Sequence, residues 1–177
     1  MYCGCNEKAL GSQRAIACAL LALMEREPYS AISVSMLCRE AGVSRPTFYS
    51  LFGSKDDVVI YILRESYGYM PARSCPAASE LETVCRGYGE YIASQRHFLS
   101  LLVDNGVGHL LFQSILDALL GCDCFLSARD EAYRRSAACF AAGGIAGVVQ
   151  GSAAQEERSA EELGALLEKL LGGGIFD

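Results

Sequence analysis

The sequence predicts an all-α protein, with an N-terminal three-helix helix-turn-helix unit linked to a larger C-terminal helical domain. Three observations carry this. Apolar residues recur at helical spacing along most of the chain. No stretch sustains the apolar/polar alternation and β-branched enrichment that a strand needs. Between residues 33 and 52, two short segments with serine at their starts are separated by one glycine-containing turn.

Ile16, Leu20, Leu23 and Met24 fall at i, i+4, i+7 and i+8, which predicts a first helix of about four turns with one buried face. It should end near Pro28, because a proline restrains the residue before it. Ser33 has the chemistry of an N-cap for a second helix running to Ala41, with Val34, Leu37, Cys38 and Ala41 inward. Gly42 stops that helix as a residue able to take positive φ. Ser44 then caps a third helix through Phe52, and Gly53-Ser54 precedes a fourth from Lys55 to about Tyr67. Met70-Pro71 to Ala78 reads as a linker. Beyond it, helices are expected at about 79–93, 94–104, 107–121, 128–150 and Ser159–Leu171. The last opens with a capping box, Ser159 followed three residues on by Glu162. The expected domains are therefore 1–65 and 66–177.

Composition narrows the function classes. The 177 residues are 51% hydrophobic and 20% charged, with a net charge of −6, values of an ordinary globular chain. Residues 1–65 carry seven bases (Lys8, Arg14, Arg26, Arg39, Arg45, Lys55, Arg64) against seven acids, so the excess acid lies wholly in 66–177. Nine cysteines at irregular spacing in a chain able to build its own core point to a reduced, cytoplasmic setting rather than to disulfides. The apolar run Ala15–Met24 is followed by Glu25-Arg26-Glu27 and is far short of the roughly 20 residues that span a bilayer, so neither export nor a membrane partner is expected.

Two short helices at a tight turn place the second for insertion into a DNA major groove. On that helix Phe48, Leu51 and Phe52 share an apolar face, leaving Thr47 and Ser50 outward with hydroxyls that can approach bases or phosphates. Arg45, at the helix start, is the best candidate for a guanine or phosphate contact. Tyr49 offers a ring and a phenolic donor, and Pro46 sits in the first turn, where its missing N–H is harmless. Lys55 reads as a mobile point charge at the start of the next helix. Ser33 and Ser44 combine capping with a position at the expected DNA surface. The candidate DNA-binding set is thus Ser33, Ser44, Arg45, Pro46, Thr47, Tyr49, Ser50 and Lys55.

The run ISVSMLCREAGVSRPTFYSLFGSKDD, residues 32–57, resembles the signature of the TetR family of bacterial transcriptional regulators. Leu51 stands where that family often has histidine, and is left out of the set. The resemblance implies a ligand-responsive repressor that binds a palindromic double-stranded DNA operator as a homodimer. It further implies that Tyr49 and Lys55 grip the DNA backbone, and that the C-terminal domain binds an unknown small-molecule effector. The segment from Ala137 to Val149 is apolar on nearly every side and dense in small residues, which predicts a helix buried on two faces. With Ser159–Leu171 it resembles the helices through which family members pair, giving an expected homodimer interface at about 128–171.

Enzymatic function is not expected. Residues 66–177 hold no assembled acid/base pair, nucleophile triad or phosphate loop, and their two histidines, His97 and His109, lie on different expected helices. No cofactor and no metal are expected. The pairs Cys3-Gly-Cys5 and Cys122-Asp-Cys124 lack the stronger C-x₂-C zinc spacing. Cys18, Cys38 and Cys139 read as small core residues. Two alternatives remain, a thiol- or metal-sensing regulator and a helical protein-interaction module that no longer binds DNA.

Overall fold

The computed structural model describes residues 6–67, 81–122, 125–126, 128–153 and 158–173. Helices account for the regular structure, and no strand occurs among the described residues. In chain order they are α1 (Glu7–Met24), α2 (Val34–Ala41), α3 (Arg45–Leu51), α4 (Lys55–Tyr67), α5 (Leu81–Ser94), α6 (Arg96–Asp104), α7 (Gly108–Leu120), α8 (Glu131–Ala153) and α9 (Ala160–Leu171), with a single 3₁₀ turn, Tyr29–Ala31, between α1 and α2. The expected linker at 70–78, the Cys3–Cys5 pair and Cys124 lie outside the described residues.

The helix ends form where the side-chain chemistry calls for them. Asn6 Oδ1 accepts from the Lys8 amide at 3.0 Å, which starts α1 about two and a half turns before the apolar stripe begins at Ile16. Ser33 and Ser44 cap α2 and α3, each accepting an amide three residues on at 3.2 Å. Gly42, with φ +65°, closes α2 in the left-handed region that a side chain would strain. At the start of α4, Asp57 Oδ2 accepts from the amides of Gly53 (2.8 Å) and Ser54 (3.1 Å), while Ser54 Oγ accepts from the Asp57 amide. The α9 capping box is complete in both directions.

Helices α1–α4 enclose Ile16, Leu20, Leu37, Phe48, Phe52, Val58 and Leu63, all buried, and this cluster continues into Leu99, Leu102, Leu111, Ile115 and Ile145 of the C-terminal helices. Within the C-terminal domain α8 packs on α7, and α9 packs on α5. The second pairing is unusually close. A Cβ at Gly89 would stand 2.3 Å from the Ala160 carbonyl oxygen and 2.7 Å from the Gly164 nitrogen, so the two backbones are in direct contact. Arg134 of α8 ties down the end of α7, donating to the carbonyls of Leu120 (2.9 Å), Cys122 (2.7 Å) and Phe125 (2.9 Å), groups a helix terminus leaves unpaired.

The second face that α8 is expected to bury is not covered within a single chain. Ala138, Ala142, Ile145, Ala146 and Val149 are buried, but Ser136, Cys139, Phe140, Gly143, Gly147, Gln150 and Gly151 are exposed. One face, not two, is covered within the chain. Cys139 and Cys18 are accordingly exposed rather than core residues; of the three thiols so read, Cys38 is buried.

Candidate nucleic-acid interface

Helix α3 is held by its apolar side. Phe48 and Leu51 are buried beneath it, Phe52 follows at its end, and Phe48 meets Tyr49 edge-on and Phe52 at a tilt. This anchoring fixes the rotation of the helix and leaves Arg45, Pro46, Tyr49 and Ser50 exposed on the outer side. Tyr49 is 53% exposed, a large apolar area for a surface residue without a function. Its ring is not part of the core.

The hydroxyls are already organised. Ser44 Oγ and Thr47 Oγ1 lie 2.8 Å apart, and Ser50 Oγ donates to the Thr47 carbonyl at 2.7 Å. A hydroxyl donating to its own helix keeps its lone pairs for an outside donor. Ser33, at the start of α2, is exposed as well. Seven of the eight candidate residues therefore lie at or beside the α2–α3 surface.

Lys55 is placed differently. Its Nζ donates to the carbonyl oxygens of Tyr29 (2.6 Å) and Ile32 (3.0 Å) and stands 4.2 Å from the centroid of the Tyr29 ring. It is a fixed charge directed into the α1–α2 turn, not a mobile one at the surface. The Tyr29 phenol donates to Asp56, and burial together with that carboxylate drives its ionisation far above the ordinary tyrosine range. Sequence reasoning missed Tyr29, whose only signal is an aromatic residue after Pro28.

Polar contacts join this unit to the C-terminal helices, among them a hydroxyl pair at 2.9 Å between Ser66 of α4 and Tyr91 of α5. Asn105, at the α6–α7 turn, accepts the Tyr29 amide on Oδ1 at 2.7 Å. His97 Nε2 meets Glu25 Oε1 at 2.5 Å, and Arg64 Nη2 lies 3.6 Å from Asp117 Oδ2. Among the described residues no cluster of three or more metal-ligating side chains occurs, and no helix is long and apolar enough to cross a membrane.

Residues 16–62, the span from the buried face of α1 through most of α4, match the family model described as "Bacterial regulatory proteins, tetR family". The N-terminal helix-turn-helix unit is thus similar to that of the TetR family of regulators. Solved structures extend the likeness over nearly the whole chain at the level of fold. The dihydroxyacetone kinase operon activator DhaS is 19% identical, with 93% of this chain and 96% of that one covered and a TM-score of 0.55. The fatty acid degradation regulator FadR from Bacillus halodurans is 20% identical over 98% and 99%, with a TM-score of 0.56. A TetR-like transcriptional regulator from Rhodococcus sp. RHA1 is 18% identical over 98% of each chain, with a TM-score of 0.52. No curated protein matches the chain.

Proposed function

We propose that this protein is a regulator of the TetR family, a cytoplasmic, ligand-responsive repressor that binds a near-palindromic operator as a homodimer, with residues 1–65 as its DNA-binding domain and 66–177 as its regulatory and dimerisation domain. The observation that carries the reading is the outer side of α3. Arg45, Pro46, Tyr49 and Ser50 stand exposed on a helix rotationally locked by Phe48 and Leu51. In the major groove, Arg45 would read a guanine edge, Thr47 and Ser50 would accept or donate at bases or phosphates, and Tyr49 would contact the backbone. Ser33 and Ser44 would present the starts of α2 and α3 to phosphates. Lys55 contributes by holding the turn beneath this surface.

A neutral DNA-binding unit gains affinity by doubling its contacts. Two α3 helices about one DNA turn apart, roughly 34–36 Å, engage two half-sites at once. The uncovered stripe of α8, with exposed Phe140 (60%) beside Gly143 and Gly147, supports pairing through about 128–171. An effector bound among the C-terminal helices would act by preferring one separation of the two α3 helices, with reciprocal coupling to DNA. The buried Ser114 hydroxyl, which has no hydrogen-bond partner, supports a polar ligand group there.

Selection of duplexes from a random pool by the full-length protein, followed by footprinting, tests the reading. A palindromic protected site with steep salt dependence is expected. Binding without sequence preference, or none, refutes it.

A further inference from the structure

The turn between α1 and α2 is gripped from two sides, and only one grip comes from its own domain. Tyr29 is held by its carbonyl and ring face through Lys55 and by its phenol through Asp56, both from α4. Its backbone amide is held by Asn105 Oδ1, from the α6–α7 turn 76 residues away. The Asn105 amide group is itself oriented, because Nδ2 donates to the Leu101 carbonyl at 2.9 Å. That bond fixes which atom faces Tyr29 and ties the acceptor rigidly to α6, whose Phe98, Leu99 and Leu102 are embedded in the core.

The other polar contacts between α1–α4 and the C-terminal helices are weaker candidates for coupling. Ser66–Tyr91 joins the far end of α4 to α5 and does not touch the Tyr29 turn. His97 and Glu25 are 79% and 46% exposed, and Arg64 and Asp117 51% and 43%. Exposed pairs of this kind are screened and worth little. The Asn105–Tyr29 bond is partly buried and acts on backbone, not on a flexible side chain.

We infer that Asn105 is a positioning residue for DNA binding, and that its bond to the Tyr29 amide is the latch by which the C-terminal domain sets the orientation of α2 and α3. The path is short. Lys55 holds Tyr29 and Ile32 together, Ser33 follows directly and caps α2, and the two-residue turn Gly42-Val43 together with the Ser44 cap carries α2 into α3. Any shift of the Tyr29 turn therefore moves the start of α2, and α3 with it. This inference rests on the DNA-binding reading of α3 given above.

The test uses the full-length protein and a duplex that the wild type has selected from a random pool. Failure of the wild type to select any duplex would strike the functional reading and is seen before any variant is made. Asn105→Leu removes the acceptor, and replacing Tyr29 with its α-hydroxy acid analogue removes the donor while keeping the phenol. Each is expected to lower affinity about tenfold, and the two together no further, since both cut one bond. The salt slope should stay as in the wild type, because no phosphate contact is lost. Amide exchange at Tyr29 in Asn105→Leu should quicken at least tenfold, with helix content unchanged. Asn105→Asp keeps an acceptor and is expected to bind within about twofold of the wild type. Wild-type affinity in Asn105→Leu, additive losses in the double variant, or no rescue by Asn105→Asp would each overturn the inference.

Discussion

At the residue scale, Arg45 and Lys55 carry the same charge and have different surroundings. Arg45 is exposed at the start of α3, while Lys55 is committed to two carbonyl oxygens and a ring. Arg45→Ala is therefore expected to cost about 1–3 kcal/mol on the selected operator and to relax base preference at one position per half-site. Lys55→Ala should weaken binding to all duplexes and leave the salt slope unaltered. Titrations at several salt concentrations on specific and random DNA separate the two, and a slope reduced by about one for Lys55→Ala would return it to the phosphate-binding set. The cysteines divide just as sharply. Burial, with the Glu168 carboxylate adding to it, pushes the Cys85 thiol up to about 11, whereas Cys18 and Cys139 are exposed. At pH 8 iodoacetamide should label Cys18 in the folded protein and reach Cys85 only on unfolding, as peptide mass spectrometry can show. The raised value also has a consequence for stability. Below the ordinary thiol range both states keep the proton; above pH 9 the unfolded chain loses it first, so the stabilisation fades as pH rises towards 11. Burial pushes Tyr91 in the same direction, up to about 12.

At the scale of the element, what could be read from sequence was whatever is encoded locally. Ser33, Gly42, Ser44 and the Ser159–Glu162 box announce helix ends within three or four residues, and the helices begin and end there. Phe48, Leu51 and Phe52 define the buried side of α3 by spacing alone, so the exposed positions of Arg45, Tyr49 and Ser50 followed. The contacts that sequence could not show are those between distant segments. The direction of the Lys55 ammonium depends on carbonyls 26 and 23 residues away, and the hold on Tyr29 depends on Asn105. The α5–α9 pairing is of this kind. Gly89 inside a helix looks only like a local weakness until Gly164 is seen against it. Gly89→Ala, which would improve an isolated helix by roughly 1 kcal/mol, is expected instead to destabilise the protein by about 1–3 kcal/mol, because its methyl meets the backbone of α9. Thermal or urea unfolding measures this, and a variant as stable as the wild type would mean that α5 and α9 can move apart freely.

For the whole molecule, the unanswered demand is the uncovered stripe of α8. A helix whose exposed side carries Phe140, Gly143, Gly147 and Gly151 in register offers another helix close approach, and a two-fold pair would set two α8 stripes against each other. The acidic excess of residues 66–177 opposes phosphate, so on the proposed reading each protomer would read DNA with its neutral unit and pairing would supply the remaining affinity. Gly147 allows a clean test, because no atom lies within 4 Å of where its Cβ would stand. Within one chain Gly147→Arg is accommodated and should raise helix stability by up to about 1 kcal/mol. Between two chains the same side chain fills the approach with bulk and buries a charge without a partner. Sedimentation should then show a folded monomer where the wild type is expected to be a dimer. Operator affinity should fall at least 100-fold, since the second half-site no longer benefits from the tether of the first. A Gly147→Arg protein that still sediments as a dimer would move the interface off this face of α8, and a monomer that binds its operator undiminished would show that pairing does not supply the affinity.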